Sequence, residues 1–194
     1  MADLLASPDE LASLSALLSR GGLAAVPTET FYALAADPTS EPGVRRVLAL
    51  KRLGAARPLL VLVAARSQLG PLGVSAEPPI LDRFFGIWPA PLTVVFPLRK
   101  PIPASRDAFS LGVRVPAHEA LRELLAHVGP VTGTSLNRSG ETPCEEADDV
   151  ARQFPGEIDV LVDGGRTPGG RPTTLVDATV APPRVLRAGA FPWP

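Results

Sequence analysis

Polar residues that could hold an anionic ligand gather where the predicted strands end. Residues 27–30 (Pro-Thr-Glu-Thr) follow the first predicted strand, and residues 134–140 (Thr-Ser-Leu-Asn-Arg-Ser-Gly) follow a later one. Arg114 and Arg187 lie at the ends of two other predicted strands, and Lys51 is near the end of the second predicted helix. Hydroxyl groups, an amide and isolated cations suit a ligand that carries phosphates and a carboxylate. Each segment alone is also an ordinary turn, but open α/β sheets bind ligands at their strand ends, so together they predict a ligand site.

Other catalytic and nucleotide-binding motifs are absent from the sequence. It has no GxxxxGK[ST] loop, no GxGxxG after a predicted strand and no GxSxG elbow. His118 and His127 have no metal-ligand spacing, so we interpret both as surface or partly packed residues and predict no metal ligands. The one cysteine, Cys144, excludes a disulfide framework and a cysteine-rich zinc site. We interpret Cys144 as a small apolar residue in a loop, and Glu29 as an exposed loop acid.

Length and composition predict one folded domain without a general affinity for nucleic acid. The chain has 194 residues, of which 45% are hydrophobic, so it can bury a core and is not globally disordered. We expect a single domain over residues 1–194. With 19 Lys and Arg against 20 Asp and Glu, the net charge is -1, so nucleic-acid contact would need a local basic patch. The arginines dense enough in sequence for such a patch are Arg45, Arg46, Arg52, Arg57 and Arg66.

The sequence predicts neither a targeting signal nor a membrane span. The first ten residues contain three acids and no Lys or Arg, which is the opposite of a signal peptide. The longest apolar runs, such as residues 59–65, are far shorter than the roughly 20 residues that a spanning helix needs. We therefore expect a cytoplasmic protein with no membrane partner.

The elements that must position the polar residues are helices and strands that mix along the whole chain. Residues 7–10 (Ser-Pro-Asp-Glu) form a capping box, and Gly21 and Gly22 end the first helix. Four more helices are predicted at residues 40–53, 80–85, 119–128 and 145–154. Strands are predicted at residues 23–26, 31–36, 59–63, 93–98, 111–115, 131–134, 158–162, 174–176 and 185–186. This mixture predicts one α/β domain in which helices cover a mixed sheet.

The order and spacing of the polar segments resemble those of the YrdC-like family, whose enzymes are L-threonylcarbamoyladenylate synthases. The similarity covers residues 21–189, and it implies a twisted mixed sheet flanked by helices, with an open concave ligand cleft. The matching segments are PTETFYAL at 27–34, Lys51 with a proline-led strand at 58–63, WPAPLT at 88–93, RVP at 114–116, TSLNRSG at 134–140, DGG at 163–165, TTLVD at 173–177 and RAG at 187–189.

The resemblance implies a reaction in which L-threonine, bicarbonate or CO2, and ATP give threonylcarbamoyl-AMP and pyrophosphate for the t6A modification of tRNA. It assigns catalysis to Lys51, Ser135 and Asn137. It assigns ATP and threonine binding to Thr28, Thr30, Tyr32, Arg114, Pro116, Thr134, Ser139, Thr173 and Arg187. Mg2+ is expected with ATP, held mainly by phosphates and water. The other expected partners are tRNA or double-stranded RNA and the proteins that transfer the threonylcarbamoyl group.

The sequence departs from the family pattern beside the lysine. The family has a K-x-R pair, and Leu53 stands at the position of its arginine, so Arg52 or Arg57 would have to supply that charge. Residues two apart on a helix lie about 200° apart around its axis. If both members of such a pair are to reach one ligand, the helix must therefore end at or near Lys51.

Two alternatives to a synthase stay open at this point. A protein of this fold without the family arginine could be a non-catalytic module that binds double-stranded RNA or tRNA, for example in translation or ribosome assembly. It could also be a protein that binds nucleotide without turning it over. The sequence does not identify a general base for the synthase reaction.

Overall fold

A computed structural model describes residues 7–52 and 58–193 of the chain. The helices of these residues are α1 (Pro8–Ser19), α2 (Glu41–Lys51), α3 (Pro78–Phe85), α4 (Glu119–Val128) and α5 (Ala147–Gln153). The strands are β1 (Ala24–Val26), β2 (Ala33–Ala35), β3 (Val61–Leu62), β4 (Leu92–Pro97), β5 (Ser110–Arg114), β6 (Val131–Thr132), β7 (Thr134–Ser135), β8 (Val160–Leu161), β9 (Thr174–Asp177) and β10 (Arg184–Arg187). Short 3-10 helices lie at Arg66–Leu69 and Pro103–Ser105.

The strands confirm the mixed α/β class but divide between two sheets. A four-stranded sheet has the order β7-β2-β1-β8, and a six-stranded sheet has the order β10-β9-β4-β5-β3-β6. Both contain parallel and antiparallel pairs: β1 is antiparallel to β2 and parallel to β8, while β4 is antiparallel to β5 and parallel to β9. The prediction of one sheet is therefore corrected to two.

The chain changes sheets at Gly133, inside the single strand predicted for residues 131–134. Before it, β6 pairs with β3 in the larger sheet; after it, β7 pairs with β2 in the smaller one. A Cβ atom at Gly133 would lie closer than 3.0 Å to the side chain of Leu62, so a residue without a side chain is needed at this crossing. An apolar run carries no information about which sheet it joins, which is why the sequence predicted one strand.

Helix ends follow their capping residues. Ser7 and Glu10 form the predicted capping box, in which the Ser7 hydroxyl accepts a hydrogen bond from the Glu10 backbone N–H at 3.3 Å. The second helix ends at Lys51 rather than at residue 53, because Arg52 adopts the left-handed conformation with φ 51°. The expectation that this helix ends at or near Lys51 is therefore confirmed.

The core packs against both faces of the short central strand β1. Ala24 and Val26 face a cluster that includes Leu14 of α1 and Leu121 of α4, whereas Ala25 faces the larger cluster between the sheets and the other helices. Burial on both faces explains why this strand is apolar throughout instead of alternating.

The described residues contain no candidate membrane span and no candidate metal cluster. No helix among them is long and apolar enough to cross a membrane, and they contain no group of three or more His, Cys, Asp and Glu placed to hold a metal. Cys144 is buried, and burial raises the pKa of its thiol to about 11, so it packs as an apolar residue. The cytoplasmic location and the single domain stay predictions.

His118 links stability to pH. Its Nδ1 atom caps α4 by accepting a hydrogen bond from the Leu121 backbone N–H at 3.2 Å, which requires that nitrogen to be unprotonated. Burial lowers the pKa of His118, partly offset by attraction from Glu29. Because the unfolded chain then binds the proton more tightly, the stabilisation is complete above about pH 6.5 and is lost as the pH falls through the folded-state pKa.

We expect His118→Asn to flatten this pH dependence, because asparagine caps a helix without titrating. Urea denaturation at pH 7 and pH 5 measures the unfolding free energy. From pH 7 to pH 5, the unfolding free energy of the variant should fall by less than that of the unsubstituted protein. An equal loss in both proteins would contradict the assignment of the effect to His118.

Candidate active site

A cleft of about 590 Å³ is lined by residues from both sheets and from the end of α2. Every residue predicted for the site lines this cleft except Pro116, which is buried and accepts a hydrogen bond from Arg122 through its carbonyl oxygen at 2.9 Å. Pro116 instead supports the start of α4, and its role in ligand binding stays a prediction. The predicted residues that line the cleft are Thr28, Thr30, Tyr32, Lys51, Arg114, Thr134, Ser135, Asn137, Ser139, Thr173 and Arg187.

All the charged side chains that line the cleft, among the described residues, are positive. Lys51, Arg114 and Arg187 contribute three cations, and none of the lining residues in this part of the chain is an Asp or Glu. Hydroxyl groups from threonines and serines make up most of the remaining polar surface. Such a lining favours an anionic ligand that offers several oxygen acceptors.

Lys51 is the most constrained of these cations. It is the last residue of α2 and only 5% exposed. Its Nζ atom donates to the backbone oxygen of Ser135 and, at 2.7 Å, to Oδ1 of Asn137. The left-handed cap at Arg52 ends the helix immediately after the lysine, and these two hydrogen bonds fix the ammonium group.

Asn137 holds Lys51 in place. Its Oδ1 atom also accepts a hydrogen bond from the Ser135 hydroxyl at 2.8 Å. Its Nδ2 atom donates to the backbone oxygens of Arg138 at 2.9 Å and Glu141 at 2.7 Å. An amide nitrogen has two hydrogens, and both are used inside the protein. In this arrangement Asn137 therefore orients the lysine and closes the 137–141 turn, and it has no amide hydrogen left for a phosphate.

The segment after β1 is held by a threonine turn. The Thr28 hydroxyl donates to the backbone oxygen of Phe31 at 2.8 Å and accepts from the backbone N–H of Thr30 at 3.1 Å. The Thr30 hydroxyl lies 3.1 Å from that of Thr28, whose own hydrogen is already used. Thr28 thus fixes the backbone of the turn, and Thr30 is the more exposed of the two toward the cleft.

Tyr32 ties this turn to the 163–165 loop. The side chain is fully buried, and its hydroxyl donates to the backbone oxygen of Gly165 at 2.9 Å and accepts from the backbone N–H of Gly164 at 3.1 Å. Burial raises the pKa of Tyr32, so the phenol is neutral at physiological pH. Tyr32 is among the residues that line the cleft, and its hydroxyl joins two sequence segments.

Thr93 is a cleft residue that was not among the predicted site residues. It is the last residue of the WPAPLT segment, and its hydroxyl oxygen lies 2.9 Å from the hydroxyl oxygen of Thr173. Arg187 donates from Nη2 to the backbone oxygen of Thr173 at 3.0 Å, so these three residues form one polar end of the cleft. The signal was available in the sequence, because Thr93 is the only hydroxyl in a segment already singled out.

The carboxylate of Glu29 is buried, which corrects the interpretation of this residue as an exposed loop acid. Its side chain is 10% exposed and lies 3.5 Å from Nη1 of Arg114, which is 4% exposed. Burial lowers the pKa of Arg114, and attraction to Glu29 partly restores it. The correction arises because the 27–30 turn packs over the end of β5, a contact between distant segments that sequence spacing does not reveal.

Three of the five arginines proposed as an RNA-binding patch are paired with acids. Arg45 lies 3.7 Å from Glu41, and Arg46 makes a 2.6 Å ion pair with Asp159. Arg66 is paired with Asp82. These contacts neutralise much of the local charge and give the RNA-binding alternative no support, so it stays a prediction. Leu53 and Arg57 lie outside the described residues; Arg52 is exposed.

The mixed α/β fold places a cation-lined cleft at strand ends, an arrangement that favours an anionic ligand. The chain belongs to the Sua5/YciO/YrdC family: the family model described as "Telomere recombination" matches residues 16–189. A threonylcarbamoyl-AMP synthase of Pyrococcus abyssi is 36% identical over 180 residues, which are 90% of this chain and 52% of the relative. The chain therefore spans about half the length of that relative.

Two further relatives extend the comparison. A threonylcarbamoyl-AMP synthase of Thiobacillus denitrificans is 34% identical over 178 residues, covering 90% of this chain and 93% of the relative. The crystal structure of P. abyssi Sua5 complexed with L-threonine superposes with a TM-score of 0.85 at 32% identity, covering 97% of this chain and 56% of that one. The resemblance drawn from the sequence segments is thus confirmed at the level of the family.

Proposed function

We propose that the protein synthesises threonylcarbamoyl-AMP from L-threonine, bicarbonate or CO2, and ATP, with release of pyrophosphate. The observation that carries this proposal is the buried lysine at the end of α2, held by Ser135 and Asn137 in a cleft whose described lining has cations and no acid. The relatives named threonylcarbamoyl-AMP synthase support the same chemistry. Because the chain spans only part of the P. abyssi relative, activity, substrates and partners of the whole protein are all part of this proposal.

The reaction makes two bonds. The amine nitrogen of threonine bonds to the carbon of CO2 and loses a proton, which gives N-carboxythreonine. An oxygen of this carbamate then attacks the α-phosphorus of ATP, the bond between that phosphorus and its β-bridging oxygen breaks, and pyrophosphate leaves. This transfer depends on in-line positioning and on neutralising negative charge, rather than on covalent help from the protein.

The cleft residues divide this work between them. Lys51 supplies a compact positive charge for the carbamate and the phosphates, and Ser135 and Asn137 keep it in place. Arg187 presents a planar guanidinium that suits phosphate oxygens. Thr30 and Tyr32 line the part of the cleft where threonine and nucleotide would meet. Thr134 and Ser139, which flank the lysine partners, add hydroxyl donors for oxygens of either substrate.

Mg2+ that accompanies ATP fits this cleft only as part of the substrate. The described lining offers no carboxylate ligand, so phosphate oxygens and water would hold the ion, and no step here is routed through it. We propose that the product then serves t6A modification of tRNA through separate transfer proteins. A cytoplasmic location and a single domain over residues 1–194 belong to the same proposal.

Pyrophosphate release tests the proposed reaction. With ATP present, we expect release to depend on both L-threonine and bicarbonate, because the attacking oxygen comes from the carbamate. Omitting each component in turn gives the controls. Release that continues without threonine would indicate ATP hydrolysis and would contradict the proposal.

The departure at Leu53 predicts a slow reaction that can be accelerated. Leu53→Arg restores the family pair directly after the end of α2, so it should raise the single-turnover rate of threonylcarbamoyl-AMP formation at saturating ATP and threonine. Arg52→Ala tests whether the neighbouring exposed arginine already supplies this charge, in which case it should lower the rate. A folded Leu53→Arg protein that is equal or slower would show that the leucine does not limit the rate.

A further inference from the structure

The buried ion pair between Glu29 and Arg114 has hydrogen-bonding capacity that the described chain does not use. Both carboxylate oxygens of Glu29 and the Nε atom of Arg114 are buried without a hydrogen-bond partner among the described residues. The two side chains are 3.5 Å apart, which is an electrostatic contact rather than a tight hydrogen-bonded pair. Buried charged groups ordinarily have both an opposite charge nearby and hydrogen-bond partners, because a buried charge that lacks either one costs folding free energy. An arrangement of this kind requires an explanation.

Only one member of the ion pair lines the cleft. Arg114 lines it, whereas Glu29 is not among the residues that do. The arginine thus contacts both a resident carboxylate and the space that an anionic ligand would occupy. Because the contact with Glu29 is loose, the guanidinium keeps hydrogen-bonding capacity: its Nε–H has no partner among the described residues, and the side chain lines the cleft.

We propose that Glu29 is the resident counter-ion of Arg114 and that it limits how tightly the cleft holds an oxyanion. Before a ligand binds, Glu29 balances the buried guanidinium charge. When a phosphate or carboxylate group of the ligand reaches Arg114, Glu29 is a second negative charge beside the same cation. The proposal rests on the proposed function in that ATP, threonine and pyrophosphate all carry such groups. It makes Glu29 a positioning residue, and it gives the cleft a built-in means of releasing an anionic product.

The proposal predicts opposite changes in stability and affinity. In Glu29→Gln the charge of Arg114 loses its nearest counter-ion, so the melting temperature should fall. The same change removes a repulsive charge close to the bound oxyanion, so binding should become tighter, on the order of ten-fold. A residue that only supported the fold would lower stability while leaving affinity unchanged or weaker.

Isothermal titration calorimetry with inorganic pyrophosphate, ATP and L-threonine tests this inference and distinguishes a phosphate from a carboxylate partner. We expect at least one of these probes to bind more tightly to Glu29→Gln, and the gain to disappear in the double variant Glu29→Gln/Arg114→Gln. Asp159→Asn is the matched control, because it breaks an ion pair of 2.6 Å with Arg46 outside the cleft. If Glu29→Gln does not fold, Glu29→Asp withdraws the carboxylate and should shift affinity in the same direction by a smaller factor.

The outcomes separate the inference from the proposed function. Unchanged or weaker binding of all three probes by the Glu29 variants would overturn the inference, as would an equal gain in Asp159→Asn. Tighter, Arg114-dependent binding in a protein that forms no threonylcarbamoyl-AMP would uphold the inference and contradict the proposed function. Failure of every variant and of the unsubstituted protein to bind any probe would overturn both.

Discussion

Replacing Lys51 with alanine should weaken ATP binding about ten- to a hundred-fold and slow threonylcarbamoyl-AMP formation by a further roughly hundred-fold or more. A charge-assisted contact contributes about 1.5–3 kcal/mol to binding, and a fixed cation contributes more in the transition state, where negative charge builds up. Lys51 is suited to this role because its ammonium is already fixed by Ser135 and Asn137 within the protein itself. Little ordering is then required when the ligand arrives.

The chain supplies an unusually direct control for this experiment. The sequence has two lysines, and the other, Lys100, is exposed and does not line the cleft. Lys100→Ala should leave both affinity and rate unchanged. Lys51→Met keeps the aliphatic stem without the charge, so it separates lost packing from lost electrostatics. Unchanged ATP affinity by calorimetry in a folded Lys51→Ala protein would contradict the assignment of the lysine.

Replacing Gly189 with alanine should lower both the stability of the fold and the affinity of the cleft. A Cβ atom at this position would lie closer than 3.0 Å to backbone atoms of Pro172, Thr173 and Thr174. Backbone atoms cannot move aside as the end of a flexible side chain can, so the two segments must separate. Overpacking of this kind costs about 1–3 kcal/mol, which lowers the melting temperature by roughly 2 to 12 °C in a chain of this size.

The expected loss of affinity follows from the hydrogen bonds that join residues 172–174 to residues 187–189. The backbone N–H of Gly189 donates to the Thr174 hydroxyl at 3.0 Å, and two residues earlier Arg187 donates to the backbone oxygen of Thr173. Separating the segments therefore displaces Arg187 from the cleft. Gly70→Ala is the control, because a Cβ atom added there would meet no atom within 4 Å and the φ of Gly70 is -58°. A Gly189→Ala protein as stable as Gly70→Ala, measured by thermal denaturation, would contradict this account.

The sequence predicted which residues meet in the cleft better than it predicted what each one does there. Lys51 and Asn137 are 86 positions apart, and the family-like segments of the sequence predict both in one site. The use of both Asn137 amide hydrogens on backbone oxygens depends on how the 137–141 turn closes. That closure is a matter of local conformation, and the residue types alone do not specify it.

Long-range packing accounts for the remaining differences. The sequence predicted most strands to within a few residues, because glycines and prolines mark their ends and apolar runs mark their interiors. It did not predict the change of sheet at Gly133 or the burial of Glu29, since each depends on a distant neighbour: Leu62 in the first case and Arg114 in the second.

Formation of one product that carries both labels, from [14C]bicarbonate and [α-32P]ATP, tests the central claim most directly. With L-threonine present, the account predicts a single species containing both labels, made by the unsubstituted protein and by Lys100→Ala but reduced at least a hundred-fold in Lys51→Ala. Double labelling requires the carbamate oxygen to have attacked the α-phosphorus, so hydrolysis of ATP cannot imitate it. The account would be contradicted by the absence of such a product from the folded protein, or by its formation at an undiminished rate in Lys51→Ala.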